Sequence, residues 1–447
     1  MQTCTLNGTW QLSAGHRSLE SVDMQIPGTV LSGLLAAGKI KDPFYRTNED
    51  ATRALFWKDY VFTRTFDVDE ELLAQQHIVL VCEGLDTLAE ISINGTFLAK
   101  TDNMHRTWKL DVKGFLHSGE NQIRIVFRSV FKYIEDYEYE ENKEIHYVPC
   151  GGMKGNQLIR KAHCMFGWDW GAQLPDAGIF RDIEIQAYCT ARIDEVKYQQ
   201  EHAQGQVTLQ VEAVLEGADF MKKYFMGKCS AGKDSSEEAS HEEASYEETI
   251  YQKTSMEVCV YDPQGHLLDK HIMTTKDNVT YVSEFIIQNP QLWWVNGLGE
   301  HPLYTVETRL LTQGEEAQTS TDRIGLRTFT VSRAKDQWGE EFAFMINGAK
   351  FFAMGADYIP EDCVYNRITR ERMEYLVRSS VKAHYNCLRV WGGGYYPSDE
   401  FYDLCDEYGI IVWQDLMYAC NVYDVTDAFA ENCRQETYDN VRRLRHH

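Results

Sequence analysis

The sequence predicts a multidomain protein: a β jelly-roll sandwich, then an immunoglobulin-like β-sandwich, then the first three β/α units of an incomplete TIM (β/α)8 barrel. Three observations predict this order. Apolar residues alternate with polar ones over most of the first 330 residues, a second set of strands begins near residue 191, and helical periodicity follows residue 347. The predicted domains are residues 1–189, 190–330 and 331–447, which suits a chain of 447 residues.

The first predicted domain consists of short strands separated by polar turns. Its strand-like runs are YVFTRTFDV, HIVLVCEGL, LAEISINGTFLA and NQIRIVFRSVF. Within the third run, Asn94-Gly95 is a strong hairpin signal, because both residues tolerate the left-handed conformations of a two-residue turn. Many short strands joined in this way favour an antiparallel sandwich or jelly roll.

The second predicted domain has four further strand-like runs: ARIDEVKYQQ, GQVTLQVEAVL, TSMEVCVYD and TYVSEFII. An acidic stretch near 228–250 interrupts them, and between Asp234 and Glu248 it holds seven acids and no Lys or Arg. Such a segment cannot bury enough apolar surface to offset the entropy of ordering. We therefore predict a disordered, solvated insert, with a functional tail for a basic partner as the alternative.

The third predicted domain alternates strands with helices, which is typical of parallel β/α units. Thr369 and Ser398 are predicted to cap the first two helices, and Gly409 to end the second. Each helix has a predicted inward apolar face: Met373, Leu376, Val377 and Val381; Phe401, Leu404, Cys405 and Tyr408; and Phe429, Cys433, Val441 and Leu444. Three units are present, whereas a closed barrel needs eight.

Composition excludes several classes of function. The formal charge of −24 repels nucleic acid and anionic membranes, and no window approaches the roughly 20 apolar residues of a membrane span. The twelve cysteines are scattered without paired spacing and the start lacks a secretory pattern, so we predict a cytoplasmic protein. Because metal-ligand spacings are missing, we predict no bound metal. The glycine runs GGMKG at 151–155 and GGGYY at 392–396 fit no phosphate-binding motif. We therefore predict no cofactor, and tight turns at these glycines.

Six side chains in two distant parts of the chain are candidates for chemistry. The stretch FGWDWG at 166–171 places a carboxylate between two indoles, and the ends of the predicted parallel strands hold a guanidinium, an indole and a carboxylate. Reactive residues in parallel β/α folds lie at strand ends, and these groups suit a sugar through planar hydrogen bonding and ring contacts. The candidates are Trp168, Asp169, Trp170, Arg389, Trp391 and Asp415.

Each candidate also has a purely structural alternative. The two tryptophans could pack the first sandwich around a turn made by Asp169. Trp391 could belong to a core, Arg389 could form a structural ion pair, and Asp415 could cap the following segment. The residues alone leave these alternatives open.

Several blocks together resemble glycoside hydrolase family two, and most closely its β-mannosidase branch. They are LWWVNGLGEHPLY at 292–304, RIGLRTF at 323–329, FMINGAKFFAMGADYIPEDC, LRVWGGGYYPSDEFYDLCDEYGIIVWQD and FGWDWGAQLPDAGIFRDI. The resemblance covers essentially the whole chain except the acidic insert. The resemblance to the β-mannosidase branch rests on the residues VWGGGYYP that follow Arg389. Galactosidase and glucuronidase relatives usually have residues like Arg-x-x-His-Tyr-Pro at this place. Mannose is thereby favoured over galactose and glucuronic acid.

The resemblance implies a retaining exo-β-mannosidase that acts on β-mannosides or manno-oligosaccharides without a cofactor. It implies that Asp169 and Asp415 bind sugar hydroxyls, that Trp168, Trp170 and Trp391 wall the pocket, and that Arg389 orients a catalytic carboxylate. The family's acid/base and nucleophile glutamates lie on later barrel strands, so they are expected beyond His447 and this chain is expected to be an inactive fragment.

Two other classes of function remain open. One is a non-catalytic carbohydrate-binding β-sandwich protein, which would present a solvent-facing aromatic stripe within the first domain. The other is an interaction scaffold that uses the acidic insert. The division of the candidate residues between the first and third domains favours the enzyme over both.

Overall fold

The structure, a computed structural model, describes residues 1–15, 21–140, 152–217, 254–277, 279–312 and 314–447. The predicted disordered insert at 228–250 lies outside the described residues. In the part of the chain that is described, we find no helix with the length and apolar character needed to cross a membrane.

The N-terminal part is built from antiparallel strands with four short helices. Its strands are β1 Gln2–Thr5, β2 Gly8–Ala14, β3 Val22–Ile26, β4 Gly28–Thr29, β5 Tyr60–Val68, β6 His77–Cys82, β7 Leu85–Asp86, β8 Ala89–Ile93, β9 Thr96–Thr101, β10 Trp108–Asp111, β11 Gly119–Phe127, β12 Gly178–Ile179 and β13 Ile183–Tyr188. Its helices are α1 Val30–Ala36, α2 Asn48–Arg53, α3 Glu70–Leu73 and α4 Val130–Glu140.

These strands form a β-sandwich. A six-stranded sheet in the order β3-β2-β5-β11-β8-β9 faces a four-stranded sheet in the order β1-β13-β6-β10, and a small sheet β4-β12-β7 lies beside them. Apolar residues of both large sheets make one buried cluster. The turn between β8 and β9 has φ angles of 52° at Asn94 and 78° at Gly95, so the hairpin predicted from this pair is confirmed.

A second sandwich follows, with two four-stranded antiparallel sheets. Its strands are β14 Arg192–Ala203, β15 Gln206–Glu216, β16 Thr254–Tyr261, β17 Leu267–Ile272, β18 Thr274–Thr275, β19 Thr280–Gln288, β20 Leu303–Thr312 and β21 Glu315–Gly325. The sheet orders are β14-β15-β19-β18 and β17-β16-β20-β21. Alternate residues of β15 are buried, because successive side chains of a strand point to opposite faces. The predicted β-sandwich character of both domains is confirmed.

The C-terminal part begins with an antiparallel sheet and continues with strand–helix alternation. Its strands are β22 Phe329–Ser332, β23 Ala343–Ile346, β24 Ala349–Phe351, β25 Gly355–Tyr358, β26 Cys387–Val390 and β27 Ile411–Gln414. Its helices are α5 Arg370–Lys382, α6 Asp399–Tyr408 and α7 Asp427–Leu444. Strands β25, β26 and β27 pair in parallel in that order, and a helix follows each strand. The carboxyl ends of the three strands therefore meet at one edge.

All three predicted helix boundary residues occupy the expected cap positions. The Thr369 hydroxyl accepts a hydrogen bond from the Arg372 amide at 3.3 Å, and Gly409 ends α6 with a φ of 73°. Ser398 precedes α6 with extended backbone, and its hydroxyl bonds the Met373 sulfur at 3.7 Å. Ser398 is therefore the N-cap residue, as predicted, but its hydroxyl bonds a neighbouring helix instead of the first turn of α6.

The predicted inward face of the last helix is confirmed at Leu444, which packs against the core of the C-terminal part, but not at Val441. Val441 is 48% exposed, and the buried residues of α7 are the polar Glu436 and Asn440. The helix packs its polar side against the first sandwich, where Arg160 supplies an opposite charge for Glu436. A buried carboxylate is tolerated only when such a partner is present, so apolar periodicity could not identify this face.

Candidate functional site

The stretch FGWDWG forms a small hairpin, residues 166–173, which we call the Trp168 hairpin. Phe166 and Gln173 pair in an antiparallel bridge at its base. Nearer the tip, the Trp168 amide donates to the Gly171 carbonyl at 3.2 Å and the Gly171 amide donates back at 3.3 Å. Asp169 and Trp170 therefore occupy the tip of a tight turn, and both are exposed. Of the two glycines that flank the tryptophans, Gly167 has a φ of 103°, a conformation that favours glycine.

The base of the hairpin is attached to the first sandwich. The Gln173 amide donates to the Glu49 carboxylate of α2 at 2.7 Å, and the Arg53 guanidinium donates to the Gln173 side chain. On the other arm, the Met153 amide donates to the Phe166 carbonyl at 2.9 Å. The tip is therefore presented by a base that is fixed on both sides.

The hairpin lies against the C-terminal part of the chain through three indoles. The rings of Trp168 and Trp391 have centroids 4.9 Å apart, and those of Trp170 and Trp391 are 5.7 Å apart at an interplanar angle of 72°. Trp391 directly follows β26. The structure thus brings three of the predicted site residues into one aromatic cluster, although they are more than 200 positions apart in sequence.

Arg389 and Asp415, the other two strand-end residues, bind each other. Nε of Arg389 donates to Asp415 Oδ1 at 3.1 Å and Nη2 donates to Oδ2 at 2.6 Å, while Nη1 donates to Asp357 at 3.1 Å. The hydrogen bond with Asp415 raises the pKa of the Arg389 guanidinium. The Gly392 amide also donates to Asp415 Oδ2 at 3.1 Å. This bidentate geometry fixes the plane of both groups at the strand ends.

The three glycines after Trp391 are required by close packing. A Cβ at Gly392 would lie 2.6 Å from the Leu416 carbonyl oxygen, and a Cβ at Gly393 would lie 2.1 Å from the Trp391 ring. The chain does turn here, as predicted. The main constraint, however, is the absence of room for a side chain beneath the indole.

A second contact between the two parts lies just before the hairpin. The Cys164 amide donates to the Gly393 carbonyl at 2.9 Å. The His163 imidazole lies within hydrogen-bonding distance of the Ala419 carbonyl at 3.2 Å, the Asn421 amide at 3.0 Å and the Tyr423 hydroxyl at 3.2 Å. Burial, together with the positive charge of Arg160, lowers the pKa of His163 to about 3. The ring is therefore neutral at physiological pH.

Sequence reasoning missed several residues that build this site. Arg160, His163 and Glu436 are buried where the two parts meet, yet their residue types are usually found at the surface. Asp357, at the end of β25, is a further partner of Arg389 that sequence reasoning did not identify. The signal that could have identified Arg160 is its position nine residues before Asp169, on the same segment.

The arrangement can bind a small polyol. The Trp168 hairpin offers an exposed carboxylate beside indole rings, and the strand ends offer a guanidinium and two carboxylates. Aromatic faces pack on C–H groups, while planar charged groups bind hydroxyls with defined direction. Within the described ranges, no group of three or more His, Cys, Asp or Glu side chains is arranged to hold a metal ion.

Comparison with known families gives two consecutive matches. Residues 10–181 match the family described as glycosyl hydrolase 2 galactose-binding domain-like, and residues 191–327 match glycosyl hydrolases family 2. The chain belongs to glycoside hydrolase family 2. The two matches cover the two β-sandwiches, and the strand–helix part follows the second match.

Among family 2 proteins, the chain is similar to β-mannosidases. It is 30% identical to beta-mannosidase B of Emericella nidulans, over 94% of this chain and 46% of that protein. It is 30% identical to beta-mannosidase of Mus musculus, over 99% of this chain and 48% of that protein. This chain thus spans about half the length of the curated relatives it matches.

The comparison with solved structures also finds a similarity to a β-mannosidase. The β-D-mannosidase from Dictyoglomus thermophilum superposes with a TM-score of 0.86 at 29% identity, covering 100% of this chain and 51% of that one. An FMN-binding β-glucuronidase from Facaelibacterium prausnitzii has a TM-score of 0.68 at 16% identity, covering 100% of this chain and 56% of its own, which shows a shared fold alone.

Proposed function

We propose that this chain carries the mannose-binding part of a retaining exo-β-mannosidase, which removes terminal non-reducing β-D-mannose residues. One observation supports it most strongly: the tip of the Trp168 hairpin lies on Trp391, beside the pair formed by Arg389 and Asp415. A terminal sugar held at this junction would be enclosed from two sides. Such an enclosure suits a substrate that is bound at one end of a chain.

In this proposal each predicted residue has a separate task. Asp169, which is exposed at the hairpin tip, accepts hydrogen bonds from sugar hydroxyls. Trp168, Trp170 and Trp391 exclude water around the ring and contact its C–H groups. Arg389 holds the plane of the Asp415 carboxylate fixed, and this carboxylate can still accept a hydrogen bond from a sugar hydroxyl. Arg389 also donates a hydrogen bond to a second carboxylate, that of Asp357.

We also propose that β25–β27 and α5–α7 are the first three units of a (β/α)8 barrel, with the domains at 1–189, 190–330 and 331–447. The parallel order of the three strands and the helix after each support this. The position of Arg389, Trp391 and Asp415 also supports it, because active sites of such barrels lie at the carboxyl ends of the strands.

Hydrolysis needs more than sugar contacts. A retaining glycosidase uses two carboxylates about 5–5.5 Å apart, one as acid/base and one as nucleophile. Asp357 and Asp415 are both ion-paired with Arg389, and we assign neither catalytic role to any residue of this chain. We therefore propose that the 447-residue chain by itself binds β-mannosides without turning them over.

An assay and a titration test the proposed function together. The purified chain is incubated with an aryl β-mannoside to measure release, and titrated with methyl β-mannoside by tryptophan fluorescence. We expect no release, saturable binding of the mannoside, weaker binding of the matching galactoside, and loss of binding in Asp169→Asn. Equal binding of both sugars, or turnover by this chain, would contradict the proposal.

The alternative of a non-catalytic carbohydrate-binding sandwich has one observation in its favour. Phe44, Tyr45 and Trp57 are each about half exposed on the first sandwich. Part of this aromatic surface is already occupied, since the Arg367 guanidinium lies 5.7 Å from the centre of the Phe44 ring. A Tyr45→Ala variant separates the two: it should abolish sugar binding by a surface module and leave binding at the Trp168 hairpin intact.

A further inference from the structure

We propose that Arg160 is a positioning residue for the sugar site: it attaches the segment that leads into the Trp168 hairpin to the loop that follows Asp415. Arg160 lies in the first sandwich, and its partners lie in the C-terminal part of the chain. The assignment of a sugar to the site rests on the proposed function. The positioning itself is a statement about the indole cluster and can be tested without sugar.

The side chain of Arg160 makes a buried, directional set of contacts. Nε donates to Glu436 Oε2 at 2.8 Å, and Nη2 donates to Glu436 Oε1 at 2.7 Å and to the Met417 carbonyl at 2.7 Å. The guanidinium also lies 4.5 Å from the centre of the Tyr418 ring. Arg160 is 1% exposed and Glu436 is 0% exposed. One guanidinium thus binds both helix α7 and the loop after β27.

The carboxylate partner is held independently. Asn103 of the first sandwich donates to Glu436 Oε2 at 3.0 Å, and Asn440, one turn further along α7, donates to the His105 carbonyl at 2.8 Å. Glu436 is therefore fixed by the sandwich on two sides. A shift of α7 along the sandwich would break several of these bonds at once.

This network adjoins the sugar site on both sides of the junction. On one side, His163 and Cys164 lie three and four residues after Arg160 and contact the loops after β27 and β26, and the Trp168 hairpin comes next. On the other side, Met417 lies two residues after Asp415, which binds Arg389 and the Gly392 amide. Arg160 is thus positioned to determine how far the hairpin indoles lie from Trp391.

Stability alone does not account for a buried pair of this kind. Removing two charges from water costs free energy, and well-packed apolar residues often stabilise a protein as much or more. What an ion pair with two parallel hydrogen bonds adds is geometry, because both planar groups must keep one orientation. The contact with the Met417 carbonyl extends that geometry to the loop.

A second buried pair serves as a matched control. Arg192 of β14 donates through Nε to Glu216 of β15 at 2.7 Å, with exposures of 4% and 1%. The chemistry and the burial are close to those of Arg160 and Glu436. Both residues of this pair belong to the second sandwich, Arg192 also bonds Gln186 of β13, and Lys109 of the first sandwich lies 3.8 Å from Glu216. Removing this ion pair therefore measures how an unpaired buried charge changes the stability of the fold while Arg160 and Glu436 remain intact.

The experiment compares Glu436→Gln with Glu216→Gln in the whole chain. Three quantities are measured: the melting temperature, the dissociation constant for methyl β-mannoside, and the near-ultraviolet circular dichroism of the indole cluster. The last is defined as the part of the spectrum lost in Trp391→Phe. We expect both variants to melt at lower temperature, but only Glu436→Gln to lose this indole signal and to bind the sugar about tenfold more weakly.

The proposal is overturned if Glu436→Gln retains the same indole signal and the same affinity for the sugar as Glu216→Gln. Should Glu436→Gln fail to fold, Arg160→Lys and Arg192→Lys replace the pair, because lysine keeps the charge but cannot make two parallel bonds and the carbonyl contact. If the parent chain binds no mannoside, the proposed function fails, and the indole signal still decides whether Arg160 positions the cluster.

Discussion

Two adjacent basic residues, Arg160 and Lys161, are fully buried just before the Trp168 hairpin. Arg160 pairs with Glu436 across the junction, while Lys161 pairs with Asp86 inside the first sandwich and donates to the Asp176 carbonyl at 2.7 Å. These two neighbouring residues thus bind the same segment to two different parts of the chain, the C-terminal part and the first sandwich. The sequence predicted residues of the candidate site that are exposed or half-buried. It missed these two buried residues, because a buried charge depends on a partner that is distant in sequence.

His163 should make the stability of the protein depend on acidity. Burial first, and then the charge of Arg160, lowers the pKa of His163 from 6.5 to about 3. The unfolded chain binds a proton at this ring below pH 6.5 and the folded chain does not until about pH 3, so acidification between these values favours unfolding. Chemical denaturation at pH 7 and pH 4.5 should show a smaller loss of unfolding free energy in His163→Gln than in the parent. Equal losses would contradict this.

Asp176 should have the opposite effect. Burial raises the pKa of its carboxyl to about 7, from 3.8 in the unfolded chain. The folded chain therefore keeps this proton over a range where the unfolded chain has released it, and stability contributed by the group falls as pH rises from about 4 to about 7. In Asp176→Asn the amide oxygen can still accept from the Leu31 and Ala177 amides. We expect the variant to gain stability relative to the parent between pH 4.5 and pH 7.5; a parallel pH dependence of the two proteins would disprove the assignment.

At the scale of elements, the predictions that held depend on local geometry. The left-handed turn at Asn94-Gly95 and the end of α6 at Gly409 follow from the residues that tolerate positive φ. The features that were not predicted at this scale depend on tertiary contacts. Ser398 gives its hydroxyl to Met373, and α7 buries Glu436 because Arg160 is opposite, which no periodicity within the helix can indicate.

Gly409 and Gly348 provide a matched pair of substitutions. Both have positive φ, 73° and 80°, so alanine costs about 1–2 kcal/mol of backbone strain at either position. At Gly409 the added Cβ would also lie 2.3 Å from the His301 ring, whereas at Gly348 nothing lies within 4 Å. Denaturant titration should therefore show a larger loss of unfolding free energy in Gly409→Ala than in Gly348→Ala. Similar losses would mean that His301 moves away without cost.

At the scale of the whole molecule, the candidate site exists only where two parts of the chain meet. The strand-end half was predictable, because parallel β/α units place their reactive residues at one edge. The residues of the Trp168 hairpin were also candidates, but their distance from the strand ends could not be predicted from residues alone. It depends on contacts such as Arg160 with Glu436, which are 276 positions apart, and on the Trp168 hairpin reaching across to Trp391.

The C-terminal part also exposes a group of aromatic side chains. Phe342, Phe352 and Trp413 are exposed, and Trp413 packs edge-on against Phe344 at 5.6 Å. Apolar patches of this kind on a protein promote association. Sedimentation velocity should show self-association of the 447-residue chain at high concentration, and Phe342→Lys combined with Trp413→Lys should reduce it. A monomer at all concentrations would show that this surface does not promote self-association.

The central claim is that one sugar is bound between the Trp168 hairpin of the first sandwich and the strand ends of the C-terminal part. A crystal structure of the chain with methyl β-mannoside tests it most directly. We predict the ring beside Trp391, with its hydroxyls bonded to Asp169 and Asp415. A sugar seated instead on the surface of Phe44, Tyr45 and Trp57, or an Asp169 carboxylate turned away from a sugar bound at Trp391, would contradict the claim.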